Sequence, residues 1–131
     1  MISDIVNFEK SEIQKLVTHP DREVRAVLAQ KMCRKIAKVE LNEIERQTVE
    51  KILALIVRDA AAMVRRALAV TLRNSPNLPH DIAHRLIKDV DSIAVPVLEN
   101  SPVLDDEDLL EILKSKAAAK ILAITRRARV S

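Results

Sequence analysis

Apolar residues recur at Val24, Val27, Leu28, Met32 and Ile36, and again at Met63, Val64, Ala67, Leu68 and Leu72. Both series keep the 3.6-residue period of a helix that turns one face to a core. Alternating β-branched stretches are few, and hairpin dipeptides are missing, so the pattern argues against a sheet. Start and stop signals divide the periodic segments. Asn42 and Glu45 have the spacing of a capping box, in which each side chain bonds the other residue's backbone amide. Asp105 suits the N-cap of a later helix. Asn74-Ser75-Pro76 and Asn100-Ser101-Pro102 suit helix ends, with Asn in the left-handed conformation and Pro blocking continuation. The pattern predicts helices over residues 3–17, 21–38, 42–57, 60–73, 79–88, 91–99, 105–114 and 116–127, joined by short loops. The expected class is all-α.

Self-similarity organises these elements. Asn74-Ser75-Pro76-Asn77-Leu78 returns 26 residues later as Asn100-Ser101-Pro102-Val103-Leu104. Val24-Arg25-Ala26-Val27-Leu28-Ala29 returns, more loosely, 40 residues later as Val64-Arg65-Arg66-Ala67-Leu68-Ala69. Helix pairs repeated at such periods indicate a stacked α-solenoid, here an irregular one of about four hairpins. A plain helical bundle is the alternative. The 26-residue register also aligns Leu104 with Val130 and Asp105 with Ser131, at the threshold of another helix. Residues 1–131 are therefore expected to form one helical-repeat domain at the N-terminus of a longer protein. The apolar residues of the last helix, among them Ala118, Ala119, Ile121, Leu122, Ala123 and Ile124, are expected to allow self-association.

Pro20-Asp21-x-x-Val24-Arg25-x-x-Leu28-Ala29 and Asp59…Val64-Arg65-x-x-Leu68-Ala69 resemble the Asp…Val-Arg signature of HEAT repeats. The segment from Asp59 to Leu113 also contains Ser75-Pro76-x-Leu78-Pro79 and Pro96-Val97-Leu98-x-x-Ser101-Pro102-x-Leu104. In these features it resembles an alphaproteobacterial family of unknown function with HEAT-like repeats, of the HEAT or leucine-rich-repeat-variant type. The resemblance implies a fold and an interaction-type role, and it brings no catalytic residues.

Composition narrows the chemistry. None of the 131 residues is Gly, Trp or Tyr, and Phe8 is the one aromatic. Without Gly there is no Walker loop, no dinucleotide-binding turn and no G-x-S-x-G elbow. Asp4 and Glu9 interrupt the place of a signal-peptide apolar core, and the apolar run Ile52–Val57 is far too short for a bilayer. Cys33 is the single cysteine and makes no intrachain disulfide. A cytoplasmic protein is expected.

Four groups of residues remain as candidates. His80 and His84 have the i, i+4 spacing of an H-E-x-x-H zinc helix, with Asp81 where the general base Glu would stand. Pro79 puts His80 in the first turn and no third ligand is signalled, so the pair is read as capping and solvated surface, and no metal or cofactor is expected. The Asp105-Asp106-Glu107-Asp108 run is read as a cap favoured by the helix dipole. Cys33, beside Arg34 and Lys35, is read as a buried small residue rather than a reactive thiol. Lys31, Arg34, Lys35 and Lys38 share a helix face, and Arg65, Arg66 and Arg73 form a second group. These seven residues are the candidate binding surface, a basic groove along the second helices of the hairpins. Arg25 and Arg65 are alternatively expected to bond Asp21 and Asp59 between repeats.

Charge is segregated along the chain: residues 21–38 carry net +4, 81–114 net −6 and 116–131 net +5, within a total of +3. The expected function is a non-catalytic scaffold that docks a protein or peptide partner with acidic character. Nucleic-acid binding by the basic face is the alternative, opposed by the acidic block and by the lack of stacking aromatics. An enzyme and a membrane-bound protein are both disfavoured.

Overall fold

The computed structural model describes residues 8–127. Among the described residues, eight helices follow one another: α1 Lys10–Thr18, α2 Arg22–Ala37, α3 Glu43–Val57, α4 Ala62–Leu72, α5 His80–Leu86, α6 Asp91–Asn100, α7 Asp106–Lys114 and α8 Ala118–Arg127. Among the described residues there is no strand. The class is all-α, and α2 to α8 each lie within a few residues of their expected spans. The first helix is shorter than expected. Phe8 and Glu9 are non-helical, Glu9 takes an extended N-cap conformation, and residues 3–7 of the expected span lie outside the described residues. Val130 and Ser131, on which the expected next repeat rests, also lie outside them.

The helices pack as four consecutive hairpins. α2 lies against α4, α4 against α6 and α6 against α8, forming one row, while α1, α3 and α5 make a second row behind it. Ala29, Ala69, Ala94 and Ala123, one on each helix of the first row, are all at most 1% exposed. Small side chains at such crossings let helices approach closely. Leu53, Ile56, Leu68, Leu72, Leu86, Ile93 and Leu98 are buried members of one continuous core cluster. Each buried aliphatic side chain of this size stabilises the fold by about 1.5–3 kcal/mol relative to exposure.

Local sequence explains the boundaries. The capping box at α3 is formed: Glu45 N donates to Asn42 Oδ1 at 2.8 Å, and Asn42 N donates to Glu45 Oε1 at 3.0 Å. A second box opens α7, where Asp108 N donates to Asp105 Oδ1 at 2.9 Å and Asp105 N to Asp108 Oδ2 at 2.8 Å. The helix ends at Asn74 and Asn100 differ from expectation. Neither residue is left-handed, and Lys116, with φ of 60°, is the one described residue with positive φ. Asn100 is the last residue of α6, and its side chain donates back to Pro96 O at 2.8 Å. Termination falls to the serines that follow. Ser101 is extended before Pro102, and Ser75 Oγ and Ser101 Oγ accept the amides of Asn77 and Val103 at 3.0 and 3.3 Å. The serine hydroxyls thereby close the turns that glycine would otherwise allow.

A ladder of ion pairs ties the hairpins together. Arg25 Nε and Nη2 donate to the two carboxylate oxygens of Asp59 at 2.9 and 3.1 Å, and Nη1 donates to His19 O at 2.7 Å. Arg65 repeats this geometry one hairpin later, with Asp89 at 2.7 and 3.1 Å and Asp59 O at 2.8 Å. Each arginine thus seals the loop of its own hairpin and grips the carboxylate of the next. The expected partners, Asp21 for Arg25 and Asp59 for Arg65, are therefore displaced by one step. Asp21 instead caps α2, accepting Glu23 N at 2.8 Å.

Candidate functional site

The α2–α4 face is built by helical geometry. On α2, Ala29, Met32, Cys33 and Ile36 are buried, so the opposite side presents Val27, Gln30, Lys31, Arg34 and Lys38, all exposed. On α4, Val64, Leu68, Ala69 and Leu72 are buried, so the opposite side presents Met63, Arg66 and Val70. Val27 is 51%, Met63 36% and Val70 40% exposed. Between the two helices these residues line an open groove of about 350 Å³, together with Ala26, Gln30, Ala67 and Thr71. The floor is thus apolar, Arg66 is the one charged side chain in its lining, and the α2 cations lie next to it on the face that carries Val27.

The seven candidate basic residues divide. Lys31, Arg34 and Lys38 lie on the exposed face beside Val27. Lys35 is turned away toward the first helix, with its ammonium 5.7 Å from the centre of the Phe8 ring. Arg66 lines the groove and its Nη2 donates to Ser92 Oγ at 2.9 Å, reaching toward α6. Arg73 is exposed at the C-cap of α4. Arg65 does not share this face. It lies on the buried side of α4, 18% exposed and held by Asp89, because it stands three, four and seven residues before the buried Leu68, Ala69 and Leu72 and so shares their face. It belongs to the scaffold of the site.

Cys33 is 0% exposed, and burial pushes its thiol up to about 12. It is a core residue, as the sequence suggests, and offers no nucleophile. Ala118, Ala119 and Leu122 of α8 are exposed, whereas Ala123 is buried and Ile121 and Ile124 are half-buried. Only part of the apolar stripe of the last helix is therefore available to a second molecule.

Two groups emerge that sequence reasoning passes over. Asn77 is 8% exposed and its Nδ2 donates to Ile36 O at 2.8 Å and Val39 O at 2.6 Å. It caps α2, the helix that carries most of the basic face, from a loop 38–41 residues away. The Ser75-Pro76-Asn77 turn was its only sequence signal. The second is Asp108, 3% exposed, which meets both histidines: Oδ2 lies 2.8 Å from His80 Nε2 and Oδ1 2.7 Å from His84 Nδ1. Its cap position was legible; its contact with the preceding helix pair was not.

Residues 93–131 match the model of a family described as an uncharacterised protein conserved in bacteria (DUF2336). The match begins within α6 and includes α7 and α8, so the chain is similar to a bacterial family of unknown function over its last 39 residues. No curated protein and no solved structure matches it. Among the described residues, no helix is long and apolar enough to cross a membrane.

Proposed function

We propose that this chain is a non-catalytic interaction module, a HEAT-like helical stack whose α2–α4 groove docks an acidic, amphipathic segment of a partner protein. The observation that carries the reading is the groove itself: Val27, Met63, Ala67 and Val70 form an apolar floor with Arg66 in its lining, and Lys31, Arg34 and Lys38 are exposed on the same helix face as Val27, next to it. A helix or extended peptide with apolar anchors would desolvate the floor, while its carboxylates meet the cations at the rim. The rim charges act mainly on encounter rate and specificity. The Val-Arg signature, the Arg25–Asp59 and Arg65–Asp89 pairs and the single row of second helices support the HEAT-like description and kinship with the alphaproteobacterial family that the chain resembles. A cytoplasmic setting suits the buried, unpaired Cys33.

The test is a fluorescence-anisotropy titration with a synthetic acidic amphipathic peptide, a scrambled peptide of the same charge, and a duplex DNA. The proposal expects saturable binding of the amphipathic peptide alone. Binding should weaken at least about tenfold in Met63→Asp, which spoils the floor, and in Arg34→Glu/Arg66→Glu, which reverses the rim. Equal binding of the scrambled peptide would reduce the site to a charged surface. Tighter binding of DNA, with affinity falling steeply in salt, would select the nucleic-acid alternative.

A further inference from the structure

We propose that the junction of α5 and α7 is a binding site for a divalent transition-metal ion, held by His80 Nε2 and one oxygen each of Asp105 and Asp108. The three donor atoms lie within 4.8 Å of one another. His80 Nε2 stands 3.3 Å from Asp105 Oδ2 and 2.8 Å from Asp108 Oδ2. Donors placed tetrahedrally about 2.0–2.2 Å from an ion are about 3.3–3.6 Å apart. Shifts of an ångström or so in side-chain position would close all three on a common centre.

The surroundings hold these donors in place. His80 is the first residue of α5, and Asp105 and Asp108 are the N-cap and third residue of α7. The reciprocal capping bonds of Asp105 and Asp108 fix both carboxylates relative to the backbone, and each still has an oxygen edge facing His80. His84, one turn after His80, bonds the other Asp108 oxygen through Nδ1 at 2.7 Å. It orients the carboxylate as an outer-sphere histidine does. Its Nε2 in turn lies 3.6 Å from Glu111, which Lys88 holds at 2.9 Å. The histidine pair of the sequence is thereby divided into a ligand and a positioning residue, and the ligands it lacked come from the next hairpin.

Charge and access favour a cation. Asp81, Glu107 and Glu111 line the same open cleft, so carboxylates outnumber the bases around it. His80 is 48% and Asp105 55% exposed, which leaves a fourth position to water and a path for the ion. One imidazole and two carboxylates suit zinc and its first-row neighbours better than calcium or magnesium, which prefer all-oxygen shells. A bound ion would clasp α5 to α7 and stiffen the second half of the stack.

Calorimetric titration of the metal-free chain with zinc chloride tests this, alongside Asp105→Asn and His80→Gln. Asn retains the N-cap acceptor while removing the charged ligand. The expected result is one saturable site, a rise in Tm on adding zinc, and binding at least about tenfold weaker in both variants. His84→Gln should weaken binding by a smaller factor. Cobalt(II) bound to the wild-type chain gives a second reading that needs no variant: intense tetrahedral d–d bands support the site. No saturable heat, an unchanged octahedral cobalt spectrum, or binding that survives both ligand substitutions would overturn it.

Discussion

At the residue scale, the two bidentate arginine pairs concentrate the electrostatic stability. Arg25 and Asp59 are 13% and 10% exposed, and Arg65 and Asp89 are 18% and 15%. Partial burial works to raise the Asp59 carboxyl, but the Arg25 guanidinium and the Ala61 amide outweigh it and hold it below the ordinary range. Asp89 is lowered in the first place by Arg65. For both groups the contribution to stability is fully present above the unfolded value, near pH 4, and is lost as pH falls through the folded value. Thermal melts should therefore be insensitive to these groups between neutrality and about pH 5, and should drop steeply below about pH 4. In Asp59→Asn/Asp89→Asn that acid sensitivity should shrink, which a series of melts across pH measures. Asp59→Ala strands Arg25 and should cost about 2–3 kcal/mol, between an exposed and a fully buried pair, read as a fall in Tm of about 6–12 °C. The Cys33 thiol should resist a disulfide reagent in the native state and react only at the rate of unfolding, since its side chain is buried and its thiolate is suppressed.

At the element scale, the helices start where short-range chemistry says they should. Asn42→Ala should cost about 1 kcal/mol through loss of the α3 cap, measurable by urea denaturation. The Asn77 cap is different in kind. Its amide reaches Ile36 O of α2 and Val39 O just past the helix end from another hairpin, so Asn77→Ala should cost about 2 kcal/mol and loosen the C-terminal turn that bears Lys35 and Lys38. Amide exchange at the end of α2 is the readout, and faster exchange confined to the site of mutation would contradict it. His19 shows the same dependence on context. It precedes Arg25 by six residues, as Asp59 precedes Arg65, and its Nδ1 accepts Asp21 N at 3.0 Å where Asp59 accepts Ala61 N at 2.9 Å. It fills the turn-closing role of the aspartate in the first hairpin, where no earlier arginine calls for a carboxylate. Val95 occupies the corresponding arginine position on α6, and the ladder ends at Asp89.

At the scale of the whole molecule, charge segregation becomes a surface. The basic helix α2 and the Arg66 edge of α4 flank an apolar groove, and the acidic block gathers around the α5–α7 cleft. Cationic side chains therefore gather near the groove and carboxylates around the cleft in a chain of modest net charge, +3. Binding of an acidic peptide at the groove should weaken as salt rises from 0.05 to 0.5 M by about tenfold or less, because the apolar floor is not screened. A partner bound by charge alone would lose far more. Arg126 on α8 is paired with Glu99 at 3.0 Å and Arg127 caps α6 through Leu98 O and Ser101 O, so the basic C-terminal segment is partly occupied within the stack.

Local sequence signals were enough for the all-α class, the approximate spans of the helices, the α3 capping box, the Asp105 cap and the buried role of Cys33. These depend on interactions within four residues and on one apolar face per helix, which periodicity displays directly. The absence of glycine was also legible, and its consequence is visible in the serine-closed turns at Ser75 and Ser101. Packing of the hairpins sets the rest: which aspartate each arginine meets, that Arg65 leaves the basic face, that Asn77 caps a distant helix, and that Asp108, in a second box with Asp105, joins the two histidines. The contacts between hairpins span 24–41 residues. They are set by the stagger between successive hairpins, and that stagger changes as the loop-to-loop spacing falls from 40 residues, between His19 and Asp59, to 30, between Asp59 and Asp89. A fixed sequence period predicts who resembles whom; the shortening repeat decides who touches whom.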